Sequence, residues 1–470
     1  MKRVAIIGGG VAGLAAAYEL ARQARDGASL QVILFEASTR LGGIIETVHE
    51  GEFVIECGPD AWVTEKPWAR ELAEELGLGD EVMPSNDATR KTYVLVDKKL
   101  QAMPDGMRMM VPGDLEALDA SELFSAAAKL AYHEEAGRAE QLRTDAPEGD
   151  ESVAKFIRRH FGEEVLTKIG APLLSGVFGG DVAKLSVQAV MAHFVAMERE
   201  HGSLIVALQA RDAGAKKHSV FTTLRSGMGT LVDRMIATIP EDWIRLAAEV
   251  RFVSCVEEGW LVGTARGVER FDAVMMAAPV DVACSLLKPV DAEVAPSMEM
   301  EASSAVVVAF GFPDAEKFPV PPGFGFLVPP GSDNLLLAAT FVDQKFEDRV
   351  PQGGRLVRAF FGGKAAERLM RCGNDEIAAV ARMELARILR PLPEPQVTVV
   401  RRWPRSLPQY AVGHLERMKK LDHTVSALDG LSLLGNGYRG VGVPDVIRDA
   451  RAAARRIADA NKGLAGVAEL

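Results

Sequence analysis

Short unbroken apolar runs alternate along this chain with longer stretches of helical composition. Val4–Ile7 is the first such run, with no polar position in it. A strand without a water-facing side belongs in a sheet covered on both faces, usually a parallel one. The alanine-rich stretch Ala12–Arg25 has helical composition, and Gln31–Phe35 reads as a second strand ending at Glu36. Together they predict a βαβ unit. Farther on, "FTTLRSGMGTLVDRMI" from Phe221 predicts a strand, a glycine turn and a helix. Glu249–Val253, Phe271–Pro279 and Leu431–Leu434 read as further strands. The last of these leads through glycines to Pro444, well placed in the first turn of a long arginine- and alanine-rich helix. Within Gln101–Tyr132, "SELFSAAAKLAY" can form an amphipathic helix, able to pack on its own domain or to lie on a bilayer.

Composition narrows the class. The chain has 470 residues, 48% hydrophobic and 25% charged, which suits a globular protein of two or three domains. Its longest apolar stretches fall far short of the ~18–20 residues a bilayer-spanning helix needs. Lys2 and Arg3 lead at once into a strand rather than a cleavable signal, so a cytoplasmic protein is expected. A net charge of −11 without a long basic run argues against nucleic acid as partner. Four cysteines without a C-x-x-C pair predict reduced thiols rather than a disulfide framework or a zinc site. His193, His201 and His414 lack metal-ligand spacing, so no metal is expected.

The glycines after Ile7 carry chemistry. Gly8, Gly10 and Gly13 form G-x-G-x-x-G, with Gly9, Val11 and Ala12 between them. Gly8 suits the tight turn, Gly10 the close approach of a pyrophosphate, and Gly13 tight packing of helix on strand. The helix N-terminus behind them offers free N–H groups and a positive dipole end. Glu36 follows Gly13 by 23 residues, where a carboxylate can bind ribose hydroxyls. A dinucleotide site is predicted, with NAD or FAD open at this point.

Directly after Glu36, "ASTRLGG" places Arg40, Gly42 and Gly43, and "LLGNGYRGVGVPD" stands near the other end of the chain. With these motifs the sequence resembles the FAD-containing amine-oxidase-like flavoproteins. It further resembles their oxygen-dependent porphyrinogen oxidases, through "ECGPDAW", "RKTYVLVDKKLQAMP", "LLSGVFGGDVAKLSV", "GFGFLVP" and "RRWPRSLPQYAVGHLERM". The resemblance implies FAD as cofactor, with Arg40, Gly42 and Gly43 near its pyrophosphate. It implies that Gly58, Pro59, Asp60 and Ala61 lie near the isoalloxazine, that the Val250 backbone meets the adenine, and that Trp403, Gly435, Asn436, Val441, Gly442 and Val443 also contact FAD. The family usually has Asp where this chain has Asn436, which puts one ribityl or phosphate hydrogen bond in doubt.

The same resemblance implies that Arg90 faces a substrate propionate, that Gly176 borders the pocket and that Phe310 sandwiches the macrocycle. Phe310 stands in an apolar strand, so core packing competes with substrate contact. Lys66 could meet an additional carboxylate, though a solvated lysine on a polar turn is the commoner case. The implied fold is α/β and α+β. A discontinuous Rossmann-like FAD domain spans 1–80, 215–285 and 400–470. A mixed-sheet substrate domain spans 81–100 and 286–399, and a mainly helical domain spans 101–214, its contact with membrane left open. The implied reaction is the six-electron oxidation of a porphyrinogen in haem synthesis. Hydride leaves a meso CH2 for the flavin, and O2 reoxidises the flavin to give hydrogen peroxide. No catalytic acid or base is assigned, since the flavin carries the chemistry. Protoporphyrinogen IX is placed first and coproporphyrinogen III second. Amine oxidase, carotenoid desaturase and a non-catalytic flavin-binding protein remain as rivals. A homodimer and peripheral contact with the inner face of the cell membrane are left open.

Overall fold

The computed structural model describes residues 1–212 and 219–465. The expected domain boundary at 214/215 and the last five residues of the expected FAD domain lie outside them. A five-stranded sheet, parallel throughout, runs in the spatial order Ile244–Arg245, Leu30–Phe35, Lys2–Ile7, Ala273–Met276 and Leu431–Leu433. Strands from the beginning, middle and end of the chain thus lie side by side, as the sequence pattern requires. Both faces are covered. Val4, Ile6, Val32, Leu34, Ala273 and Met275 share a buried cluster with the helices Val11–Arg25, Gly229–Thr238 and Val443–Ala465. Ala5, Ile7, Ile33, Phe35, Val274 and Met276 share another with a three-stranded antiparallel sheet, Val250–Val256, Gly259–Thr264 and Gly267–Phe271. Burial on both sides is why these strands read as continuous apolar runs.

The helix Val11–Arg25 crosses the helix Val443–Ala465 closely. Alanines dominate the buried positions of both, and small side chains let the axes approach. One carboxylate lies in that apolar seam. Glu19 is fully buried and meets Arg451 at 2.8 Å, Arg455 at 2.9 Å and Arg22 at 2.7 Å.

A second, seven-stranded mixed sheet runs in the order Val397–Pro408, Ala302–Phe312, Arg355–Phe361, Ala338–Phe341, Gly325–Leu327, Thr92–Val96 and Lys99–Ala102. Alternate residues point to opposite faces. Val306, Val308, Phe310, Phe312, Val357, Ala359 and Phe361 face outward into a core closed by the helices Gly363–Leu369 and Asn374–Ile388. Phe310 is therefore corrected. It is fully buried on the helix-covered face, away from the face that meets the first sheet's loops. Phe310→Leu should lower stability by about 1–1.5 kcal/mol and leave the substrate KM unchanged, checked by urea denaturation and steady-state kinetics.

Between the two sheets' segments, helices from Leu115 to Asp212 enclose a third core around Tyr132, Phe156, Phe161 and Phe194. The amphipathic stretch becomes the helix Ala126–Gly137, capped by Ser125 Oγ. Its inward positions pack on its own domain, and its exposed ones are Ala126, Ala127, Leu130, His133, Glu134 and Gly137, with one large apolar side chain among them. Among the described residues, no helix is long and apolar enough to cross a membrane.

Candidate functional site

The glycine turn joins the strand Lys2–Ile7 to the helix Val11–Arg25. Gly8 has φ +108°, and a Cβ there would lie 2.6 Å from the Ala277 carbonyl oxygen, so only glycine fits. A Cβ on Gly13 would overlap the Gly8 carbonyl oxygen. At Gly10, by contrast, the nearest atom to a Cβ is Gly43 Cα at 3.9 Å. Gly8 and Gly13 serve packing, whereas Gly10 leaves open space. No side chain caps the helix N-terminus and no acidic residue stands in its first turn, so the first-turn amides, Val11 to Gly13, remain available to an anion. Glu36 Oε2 accepts from Gly9 N at 2.7 Å and Oε1 from Ser38 N at 2.8 Å, fixing its carboxylate beside the turn.

The Arg40–Gly43 loop docks on this turn. Gly42 N donates to Gly9 O at 2.8 Å, and Gly10 and Gly42 form an isolated parallel bridge. The Arg40 guanidinium donates to the carbonyls of Leu41, Gly43 and Ile45, so it shapes its own loop. Val250 lies beyond Glu36, linked through Ala248 N to Glu36 O at 2.8 Å.

A third element is the segment Gly58–Ala61. Its back is held by charges from the seven-stranded sheet and its flank. Asp60 meets Lys345 Nζ at 2.9 Å and Arg358 Nη1 at 3.2 Å. Arg358 also donates to Gly58 O, and Thr223 Oγ1 to Asp60 O at 2.8 Å. Burial opposes ionisation of Asp60, but Lys345 and Arg358 outweigh it and hold its carboxyl below the usual range. Behind it, buried Arg349 contacts Glu56 at 3.4 Å. Trp403 Nε1 donates to Cys57 O at 2.7 Å, which brings the indole onto the same segment.

The fourth element is the loop 435–442 between the strand Leu431–Leu433 and the long C-terminal helix. Gly435 has φ +122°, and nothing lies within 4 Å of a Cβ there. Val441 reaches the helical core, and Val443 the core under the first sheet. Asn436 Nδ2 donates to Ser406 O at 3.1 Å, so this side chain is used within the protein.

Open space beside Gly10 and Gly435, uncapped amides and an ordered carboxylate at Glu36 fit an extended dinucleotide. A model of flavin-containing amine oxidoreductases matches residues 11–458. The chain belongs to the flavin-containing amine oxidoreductase family. It is an FAD-dependent oxidase. It is 33% identical over 462 residues to the coproporphyrinogen III oxidase of Bacillus subtilis, covering 96% of this chain and 97% of that protein. It is 26% identical to protoporphyrinogen oxidase 2 of Arabidopsis thaliana, over 94% of this chain and 91% of the other. A solved structure from Exiguobacterium sp. 255-15, provisionally described as a protoporphyrinogen oxidase, superposes with a TM-score of 0.86 at 29% identity, covering 97% and 98% of the two chains.

Within this flavin oxidase the expected substrate residues separate. Arg90 is exposed at the end of a turn that Asn86 N and Thr89 Oγ1 pin to Lys345 and Gln344, just before the strand Thr92–Val96. Its guanidinium makes no ion pair with the described residues. Gly176 stands on an exposed face of the helix Ala171–Phe178, with no atom within 4 Å of a Cβ. Lys66 is a half-exposed lysine whose Nζ lies 2.5 Å from Asp445 Oδ2 at the start of the C-terminal helix. His193 is exposed on the helix Ala192–His201 and His201 ends that helix, whereas His414 is buried. No metal-holding cluster occurs among the described residues.

Sequence reasoning missed Lys345, Arg349 and Arg358. Arg358 had a legible signal, an arginine inside the apolar strand "RLVRAFF", where a charge survives only against a buried partner.

Proposed function

We propose that this chain oxidises coproporphyrinogen III to coproporphyrin III in haem synthesis, with O2 as electron acceptor. Six electrons leave the macrocycle in three rounds, and three O2 become three hydrogen peroxide. The observation that carries this reading is the near full-length match to a Bacillus subtilis protein of that name. Bound FAD supplies the two-electron acceptor for each round. The chain's own residues bind and orient. Arg90, exposed and without an anionic partner among the described residues, suits a propionate, which a guanidinium grips bidentately. The open face at Gly176 leaves room for a flat macrocycle. Lys345 and Asp60 neutralise one another, so neither is offered as an acid or base. A cytoplasmic setting belongs to this reading.

Arg90→Ala should raise KM by ~10- to 100-fold, equivalent to one lost charge-assisted pair of about 1.5–3 kcal/mol, with flavin content unchanged. Unchanged kinetics would remove Arg90 from the site. Protoporphyrinogen IX, placed first on sequence alone, is the second reading. It is favoured by the engagement of Lys66 with Asp445, which leaves that lysine less available to an extra propionate. The ratio of kcat/KM for the two porphyrinogens under air, on one preparation, decides. A ratio above one for coproporphyrinogen supports the first reading, and one clearly below it installs the second. Lys66→Ala should leave this ratio unchanged.

A further inference from the structure

The loop 435–442 is rich in glycine and must hold one shape to serve a cofactor. Its own turns do not hold it alone. The segment Gln409–His414 lies against it and grips its backbone at alternate residues. Tyr410 Oη donates to Asn436 O at 2.6 Å and accepts from Gly440 N at 3.1 Å. His414 Nε2 lies 2.9 Å from Tyr438 O. Burial pushes the His414 imidazole down to about 4, so the ring is neutral and its Nε2–H faces that carbonyl. The two rings stack, with centroids 3.8 Å apart and planes 11° from parallel. Tyr410 and His414 are both buried, so little else can satisfy these groups.

The same segment is fixed from its other side by the helical part of the chain. Gln409 Nε2 donates to Phe178 O at 2.6 Å, at the end of the helix that carries Gly176. Ser186 N donates to Tyr410 O at 2.7 Å, and Val412 N to Lys184 O at 2.9 Å. Gly413 N donates to Asp150 Oδ2 at 2.8 Å. The six residues Gln409–His414 thus join the backbone behind Gly176 to the backbone of the 435–442 loop.

We propose that Tyr410 is a positioning residue for the flavin, holding the loop 435–442 from behind and tying it to the Phe178–Ser186 segment. The phenol spans two loop residues that lie four apart. The His414 ring beneath it sets the phenol's height. The inference rests on the reading that loop 435–442 contacts FAD, so its test carries a separate control for that reading.

The variant Tyr410→Phe keeps the stack and removes only the hydroxyl. Release of FAD from the diluted holoenzyme, followed by fluorescence of the freed flavin, gives a dissociation constant. Loss of two hydrogen bonds should raise it roughly 5- to 100-fold. The visible absorption band of the flavin that stays bound should shift, a change that a purely structural role would not cause. Gly435→Ala is the control: its methyl would enter the open space beside the loop and, at φ +122°, strain the loop itself, so its melting point is compared with that of flavin-stripped wild type. Retention of full flavin by Gly435→Ala would remove the loop from the cofactor site and the proposal with it. Loss of flavin in Gly435→Ala, with wild-type affinity and spectrum in Tyr410→Phe, would leave the loop in place and overturn the role of Tyr410. If Tyr410→Phe does not fold, His414→Phe keeps the stack and loses the bond to Tyr438. It must then weaken FAD binding, and wild-type affinity would overturn the proposal.

Discussion

Gly10→Val protein should fold and purify without flavin. At this residue φ is −72°, a value valine adopts freely, and the nearest atom to a new Cβ is 3.9 Å away. The fold therefore tolerates the side chain. The isopropyl group would instead fill the gap between the Gly8–Gly13 turn and the Gly42–Gly43 turn, where a pyrophosphate must approach the backbone. Gly13→Val supplies the contrast. There a Cβ would overlap the Gly8 carbonyl oxygen, so the helix must shift off its strand and the protein should be destabilised. The measurement is the flavin-to-protein absorbance ratio, with the melting point compared against wild-type protein stripped of flavin. Near-zero flavin at the stripped wild-type melting point is expected for Gly10→Val. A full complement of flavin would move the pyrophosphate elsewhere.

Glu19→Gln should cost about 3 kcal/mol of stability at pH 7, the lower end of the range for breaking a buried pair. Arg451 is 7% exposed and would keep only Glu75 as a full anionic partner. Burial opposes ionisation of Glu19, yet hydrogen bonds from Arg455, Arg22 and Arg451 outweigh it and hold the carboxyl at about 2. The folded value lies below the ordinary value of 4.5, so the contribution is fully present above pH 4.5. It fades as pH falls from there towards 2. Wild type and Glu19→Gln should therefore differ most at neutral pH, and their denaturation midpoints should converge in acid. Equal midpoints at pH 7 would mean that the seam holds without the carboxylate.

The first sheet was legible because its signals are local. Val4–Ile7 and Ala273–Met276 have no polar face, and a glycine turn sits immediately beside the first of them. What was not legible depended on facing and on distant partners. Phe310 lies in "SSAVVVAFGF", where every residue is apolar or small and alternation gives no clue to which face meets the cofactor side. Only pairing with Val357 and the helices beyond it decides. Lys66 looked like a solvated lysine because its partner, Asp445, is 379 residues away. Asp60 was read as part of a motif, but its cations come from Lys345 and Arg358, which no spacing rule connects to it. Tyr410 was quoted within a motif without a role, since its acceptor and donor lie on a loop that begins 25 residues later.

The order of strands in the first sheet also sets when the protein can become itself during synthesis. The strand Lys2–Ile7 leaves the ribosome first, yet one neighbour ends at Met276 and the outermost strand at Leu433. At translation speeds of 5–20 residues per second, the gap is about 20–90 s. Leu30–Phe35 can pair with Lys2–Ile7 early, but for that time the sheet lacks its outermost strand and the alanine-rich helix lacks the helix Val443–Ala465 that covers it. A ribosome stalled before residue 431 would carry a chain with the glycine turn made and the C-terminal helix missing. Such a chain would expose the apolar seam around Glu19, a surface for chaperones to hold until the last 40 residues emerge.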